Sequence, residues 1–103
     1  MQIVIFITCA NKKQASLIAS RLIKDRAAAC VNIIGNIKSV FWWENKIERS
    51  NEALLIVKSN KSRLPKIIKL VRSLHSYQVP EIIALPVIGG YKPYLDWIND
   101  SIR

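Results

Sequence analysis

The side chains best able to do chemistry gather in one short stretch, His75-Ser76-Tyr77-Gln78-Val79-Pro80-Glu81-Ile82-Ile83. It holds the only histidine of the chain, with a tyrosine, a proline and a carboxylate close by. It also joins a segment of helical spacing to an apolar run, and such joining loops are where binding residues collect. An imidazole paired with a thiolate suits copper or zinc, and the chain offers two thiols, Cys9 and Cys30. One histidine and two cysteines fall short of the roughly four protein ligands of a closed structural site. A metal held by His75 and a thiolate would therefore need ligands from a second subunit or from solvent. No C-x-x-C pair is present, which excludes a zinc knuckle, a thioredoxin-like site and the first loop of a metal chaperone. Packing in a reduced core is the plain alternative for both cysteines.

The elements that position these residues can be read from periodicity. Residues 3–9 are apolar on both faces, as a central strand should be. Asn11 can cap a helix whose stripe is Ala15, Ile18, Ala19, Leu22 and Ile23. Residues 30–43 switch to strand alternation, with a bulge or bend expected at Gly35. Glu44-Asn45-Lys46 reads as a turn, Asn45 being best able to take a left-handed conformation. A return strand follows from Ile47 to Lys58, and this long hairpin should project from the domain. Ser62 is the expected cap of a second helix with the stripe Leu64, Ile67, Ile68, Val71 and Leu74, and Pro65 lies in its first turn. Residues 82–88 form another strand, in which Pro86 argues for an edge position. Pro93 opens a short last helix carrying Tyr94, Leu95, Trp97 and Ile98.

This order, β-α-β-β-α-β plus a terminal helix, is the α+β ferredoxin-like arrangement. Right-handed crossovers put both long helices on one face of the sheet. The other face is left without cover from within the chain, yet the hairpin strands are apolar on both sides. Ile34, Val40 and Trp42 oppose Ile33, Phe41 and Trp43, while Leu54 and Ile56 oppose Leu55 and Val57. A bare apolar face of this kind is a partner surface, and the expectation is an oligomer that buries its sheets.

With 103 residues, half of them hydrophobic, the chain is expected to be one folded domain, 1–103. Its apolar opening is too short for a membrane span and lacks the features of a secretion signal, so a cytoplasmic location with no membrane partner is expected. Sixteen basic residues against seven acidic ones give a net charge of +9, which draws attention to polyanions. Lys12, Lys13, Lys24, Arg26, Lys61, Arg63, Lys66, Lys69 and Arg72 fall mostly on the polar sides of two helices, where a solvated face is the plain reading. Nonspecific attraction to nucleic acid at low salt follows from charge alone, and no specific nucleic-acid partner is expected.

Three ordered patterns carry a family resemblance over essentially the whole chain. They are Leu22-Ile23-Lys24-Asp25-Arg26-Ala27-Ala28-Ala29-Cys30-Val31-Asn32-Ile33; then Ile37-Lys38-Ser39-Val40-Phe41-Trp42-Trp43-Glu44-Asn45-Lys46-Ile47 with Glu52 and Lys58 downstream; and the His75–Ile83 stretch followed by Tyr94-Leu95-Asp96-Trp97-Ile98. The chain resembles the CutA divalent-cation tolerance family (CutA1). The resemblance implies a homotrimer of PII-like architecture, a role in tolerance of copper and other divalent metals with copper binding, no catalytic activity and no organic cofactor. In this chain Ser76 stands where the family usually has proline, and Asn45 where it usually has glycine. The cysteine that bacterial members use aligns with Ile7, two residues before Cys9 on the same strand face. His75 matches the family's histidine, so His75 and Cys9 are the metal candidates, for copper(II) or another divalent cation. His75→Ala is expected to weaken copper(II) binding. Trp43, Lys58, Tyr77, Pro80, Glu81 and Trp97 match family positions and are expected at a cleft between subunits, as a ligand site or as an interface network.

Proteins sharing this topology give rival readings. An RNA-binding domain would carry an aromatic-rich strand motif, and none is present. An acylphosphatase-like enzyme would need a phosphate-cradling turn with arginine, and Cys9-Ala10-Asn11-Lys12 has neither glycine nor arginine. A PII-like sensor of a nucleotide or anion, or a trimeric scaffold, remains the alternative.

Overall fold

The computed structural model describes all residues 1–103. The elements are β1 (Gln2–Cys9), α1 (Lys12–Lys24), β2 (Cys30–Trp43), β3 (Lys46–Asn60), a 3-10 turn (Lys61–Arg63), α2 (Leu64–Leu74), β4 (Ile82–Pro86) and α3 (Lys92–Ser101). The four strands form one antiparallel sheet in the order β2-β3-β1-β4. This is the expected ferredoxin-like topology with a long hairpin and a short terminal helix. β4 pairs only with β1, so Pro86 sits on an edge strand where its missing N–H is harmless.

Local chemistry explains most boundaries. The Asn11 side chain accepts from Gln14 N at 2.8 Å and starts α1. Ser62 does not cap the second helix, whose N-cap residue Arg63 makes no side-chain cap bond; instead Asn60 Oδ1 accepts from Ser62 N at 3.0 Å and opens the 3-10 turn before α2. The hairpin closes through Glu44 (φ 50°) and Asn45 (φ 63°), the paired left-handed residues that a twisted two-residue turn requires. The bulge falls between Ile34 and Ile37, and Asn36 (φ 59°) takes the left-handed conformation there. Gly35 itself has no left-handed φ, and a Cβ there would meet only the flexible end of the Lys12 side chain.

α1 and α2 cover one face of the sheet and run antiparallel to each other. At one end Lys66 Nζ donates to Asp25 O (2.8 Å), and at the other Ser76 Oγ donates to Gln14 Oε1 (3.2 Å). The core lies between helices and sheet. Ile5, Ile7, Cys9, Leu55 and Val57 from the strands meet Ala15, Ile18, Leu22, Ile67 and Val71 from the helices, all fully buried. Two residues of the expected stripes are instead largely exposed, Ile23 and Ile68.

The opposite face carries the alternate residues of the same strands. Val4, Phe6, Leu54 and Ile56 are half-buried, while Ile34 (42%), Ile83 (51%) and Leu85 (44%) are exposed. It is not wholly bare, because α3 docks at one end. Gln2 Nε2 donates to Leu95 O (3.1 Å), Asn60 Nδ2 to Asn99 Oδ1 (2.9 Å), and Ile98 and Ile102 are buried. The hairpin projects as expected: every residue from Val40 to Arg49 is exposed, and the molecule measures 44 × 25 × 23 Å.

Candidate functional site

A groove of about 850 Å³ opens where the outer half of the hairpin faces the loop that follows α2. Val40, Phe41 and Trp43 of β2 line one wall, and Tyr77, Val79 and Glu81 line the other, with Thr8 and Glu52 between them. The loop is set by His75. Its backbone N donates to Val71 O (2.8 Å) and closes α2, and its φ and ψ of −76° and 139° turn the chain into extended conformation. Its ring then fixes the loop twice. Nε2 donates to Thr8 O at 2.6 Å, and Nδ1 accepts from Tyr77 N at 3.1 Å. These two bonds define the Nε2–H tautomer. The tyrosine ring packs beside the imidazole, with centroids 4.8 Å apart.

Tyr77 reaches across the groove floor and donates to Glu52 Oε2 at 2.6 Å. Glu52 is only 7% exposed and forms no ion pair within the chain. A buried carboxylate without a cation raises the proton affinity of its neighbours. The Tyr77 phenol is pushed up to about 12 by burial and by Glu52. The Cys9 thiol is pushed up to about 11, again by burial first and Glu52 second. The Glu81 carboxyl is raised by burial and by the same charge. Glu52 is thus the electrostatic centre of the groove. Glu52 carries no assigned role in the sequence motif that contains it. The signal is a carboxylate at the head of the apolar run of β3, Glu52-Ala53-Leu54-Leu55-Ile56-Val57.

The metal candidates are close in the fold but not presented as ligands. Both ring nitrogens of His75 are engaged, one as donor and one as acceptor, so no lone pair is free. Cys9 is fully buried in the core, and its environment disfavours the thiolate that a metal would require. No group of three or more His, Cys, Asp or Glu side chains is arranged to hold an ion. As folded, this donor set does not fit a resident copper ion.

The six cleft candidates divide into two clusters. Trp43, Tyr77 and Glu81 line the groove, with Pro80 next to Glu81 in its rim loop. Lys58 and Trp97 lie at the other end of the uncovered face. Lys58 stands six residues along β3 from Glu52, or roughly 20 Å at strand rise. Its Nζ donates to Asn32 Oδ1 and lies 3.9 Å from Cys30 Sγ. Trp97 packs on Tyr94, whose hydroxyl is raised by burial and by Cys30.

The architecture defines a class: a ferredoxin-like subunit with a projecting hairpin and an acidic, aromatic groove between that hairpin and the loop after α2. Residues 3–101 match the profile of the family described as CutA1 divalent ion tolerance protein. The chain belongs to that family. It is 44% identical over 101 residues to the protein CutA 1, chloroplastic, of Oryza sativa, covering 98% of this chain and 57% of the rice protein. It therefore spans little more than half of that relative. It is 40% identical to the divalent cation tolerance protein of Thermus thermophilus, whose structure superposes with a TM-score of 0.96 over 98% of both chains. The structure of the periplasmic divalent cation tolerance protein CutA of Archaeoglobus fulgidus superposes with a TM-score of 0.97, at 42% identity over the whole of both chains.

These relatives overturn the expected cytoplasmic location. One is described as chloroplastic and another as periplasmic. An apolar first strand without signal features therefore does not fix the compartment in this family. No helix is long and apolar enough to cross a membrane.

Proposed function

We propose that this chain is a non-enzymatic, PII-like homotrimer that serves divalent-cation tolerance through clefts between its subunits. The observation that carries the proposal is the uncovered apolar face of the sheet. Ile34, Ile83 and Leu85 are 42–51% exposed there although they stand beside fully buried strand neighbours. Burying such a face against identical copies removes a large apolar area from water. A cyclic arrangement uses two different surfaces of each subunit. The two clusters supply them, since the Lys58–Trp97 end of one subunit can complete the acidic groove of the next and bring the cation that Glu52 lacks.

The charge of the groove decides which ligand class it favours. Glu48, Glu52 and Glu81 stand against one guanidinium, Arg49, between the walls of Phe41, Trp43 and Tyr77. This combination favours cations and disfavours nucleotides or other anions. Copper held by His75 would cost the ring a hydrogen bond, so the form of metal tolerance proposed here does not run through a high-affinity copper site at His75 and Cys9.

The test has two arms. Light scattering should give three times the subunit mass; a monomer would remove the cleft. Copper(II) and other divalent cations are then titrated calorimetrically into metal-free wild type, His75→Ala and Glu81→Gln. The proposal expects His75→Ala to behave like wild type and Glu81→Gln to bind more weakly. Saturable copper uptake that is lost in His75→Ala would replace the groove by a site in the loop. Thermal stabilisation by nucleotides and not by cations would replace it by an anion sensor.

A further inference from the structure

The net charge is not spread over the molecule. The helical layer, residues 10–29 and 61–75, carries ten of the sixteen basic residues and a single acid, Asp25. The remaining six basic and six acidic residues cancel, so the whole +9 sits on that one layer. Asp25 offsets little, because it is engaged by Arg21 at 3.4 Å. Lys12, Lys13, Lys24, Lys66, Lys69 and Arg72 are all exposed. They mark both ends of the layer because the two helices are antiparallel: Lys13 and Arg72 lie towards one end, Lys24 and Lys66 towards the other.

From this we infer that the α1–α2 layer is a docking surface for the phosphate backbone of duplex nucleic acid, independent of base sequence. The complement of nine uncompensated cations is a dense polyanion. The 13-residue α1 spans about 20 Å, the length of roughly six phosphates on one DNA strand. Single strands are the poorer fit, since they are held by aromatic stacking platforms. Every Phe, Tyr and Trp of the chain lies outside residues 10–29 and 61–75. The same lack argues against an anionic membrane, because peripheral helices pair their basic face with aromatic and other apolar anchors. The apolar side chains open on this layer, Leu17, Ile23 and Ile68, are scattered singly. The surface lies on the side of the sheet opposite the uncovered face, so it remains available whether or not the subunits assemble.

The experiment is fluorescence anisotropy with a labelled mixed-sequence duplex of about 30 base pairs, at salt from 50 to 200 mM. About five phosphate contacts predict a 100- to 1,000-fold loss of affinity across that range. Lys13→Gln/Lys69→Gln/Arg72→Gln is compared with Lys46→Gln/Lys92→Gln/Arg103→Gln, which removes the same charge from the hairpin tip and α3. All six side chains are exposed, so both variants should keep the wild-type circular dichroism spectrum. The helical-layer variant should lose affinity and reduce the salt slope by about 3, with the control unchanged. Equal losses in the two variants would reduce the effect to net charge and overturn the surface. So would binding to phosphatidylserine vesicles without binding to duplex, or no duplex binding at 50 mM.

Discussion

The two faces of the sheet are made of nearly the same residue types and have opposite fates. On the helical face Ile5, Ile7, Leu55 and Val57 have no exposed surface. On the other, Ile34, Ile83 and Leu85 keep 42–51% of theirs. Hydrophobicity therefore identifies what must be covered without saying by what. The first face is satisfied by the crossovers of its own chain, and the second by a short helix at one end only. Charge makes the same division in reverse: the face closed by helices presents all the net charge outward, and the open face is close to neutral.

The largest effects should separate the faces directly. Leu55→Ala cuts a cavity in the closed core and should lower subunit stability by about 2–5 kcal/mol in denaturant unfolding. Ile83→Asp on the open face should leave the circular dichroism spectrum intact and lower the mass measured by light scattering. A subunit that unfolds on Ile83→Asp would mean that the open face is part of the core after all.

A second contrast lies in the two cysteines. Cys9 is buried on the closed side, whereas Cys30 is half-buried on the open side near Lys58. The folded protein keeps the Cys9 proton up to about 11, against an ordinary value of 9.0. Between those values the unfolded chain has released a proton that the folded chain still holds. Stability is thus unaffected below pH 9, falls as pH rises to 11, and levels beyond it. The limiting loss is about 3 kcal/mol. Urea unfolding from pH 8.5 to 11 should be less steep in pH for Cys9→Ala than for wild type, with the remaining slope shared by the other raised groups, Tyr77 and Tyr94 among them. Identical slopes would place the titration elsewhere.

How much was legible in the sequence follows from what each signal measures. Alternation placed the strands, Pro86 placed β4 at an edge, and Asn45 marked the turn, because each rests on local backbone chemistry. Asn60 and Ser62 are both cap-forming residues two positions apart, and only the backbone geometry of the 3-10 turn selects between them. Ile23 and Ile68 fit the helical stripes by spacing, yet they stay 45% and 36% exposed, because spacing gives the face of a helix and not how far the sheet beneath extends. Distances across the sheet depend on register, which the sequence does not state. Lys58 and Trp97 are expected with Tyr77 and Glu81 at a cleft between subunits, and strand rise sets Lys58 roughly 20 Å from Glu52 within one chain, so only a second subunit could bring the two clusters together. Glu52 went unassigned because its importance comes from burial opposite Tyr77, a loop residue 25 positions away.

The hydrogen bond between those two residues sets the next effect. Tyr77→Phe leaves one oxygen of the buried Glu52 carboxylate without its donor and should cost about 1–3 kcal/mol. The loss should shrink in the double variant with Glu52→Gln, whose amide is not charged. A full additive cost in the double variant would show that the bond does not couple the two groups.

The smallest effect tests the electrostatics of the groove itself. Glu81 stands in a place that penalises its charged form, first through burial and then through Glu52. Its carboxyl is raised in the folded protein, so the folded state binds the proton more tightly than the unfolded chain does. Stability is therefore lost as pH rises from the unfolded value of about 4.3, and is not regained above the folded one. Glu81→Gln removes that penalty and should raise stability by less than about 1 kcal/mol at pH 7, since the side chain is exposed and screened. The gain should vanish when pH is brought below about 4, where both forms are neutral. A gain that persists in acid would come from packing. A loss at pH 7 would mean that Glu81 already has a cation, which a neighbouring subunit's Lys58 would supply, and comparison with Lys58→Gln would then identify it.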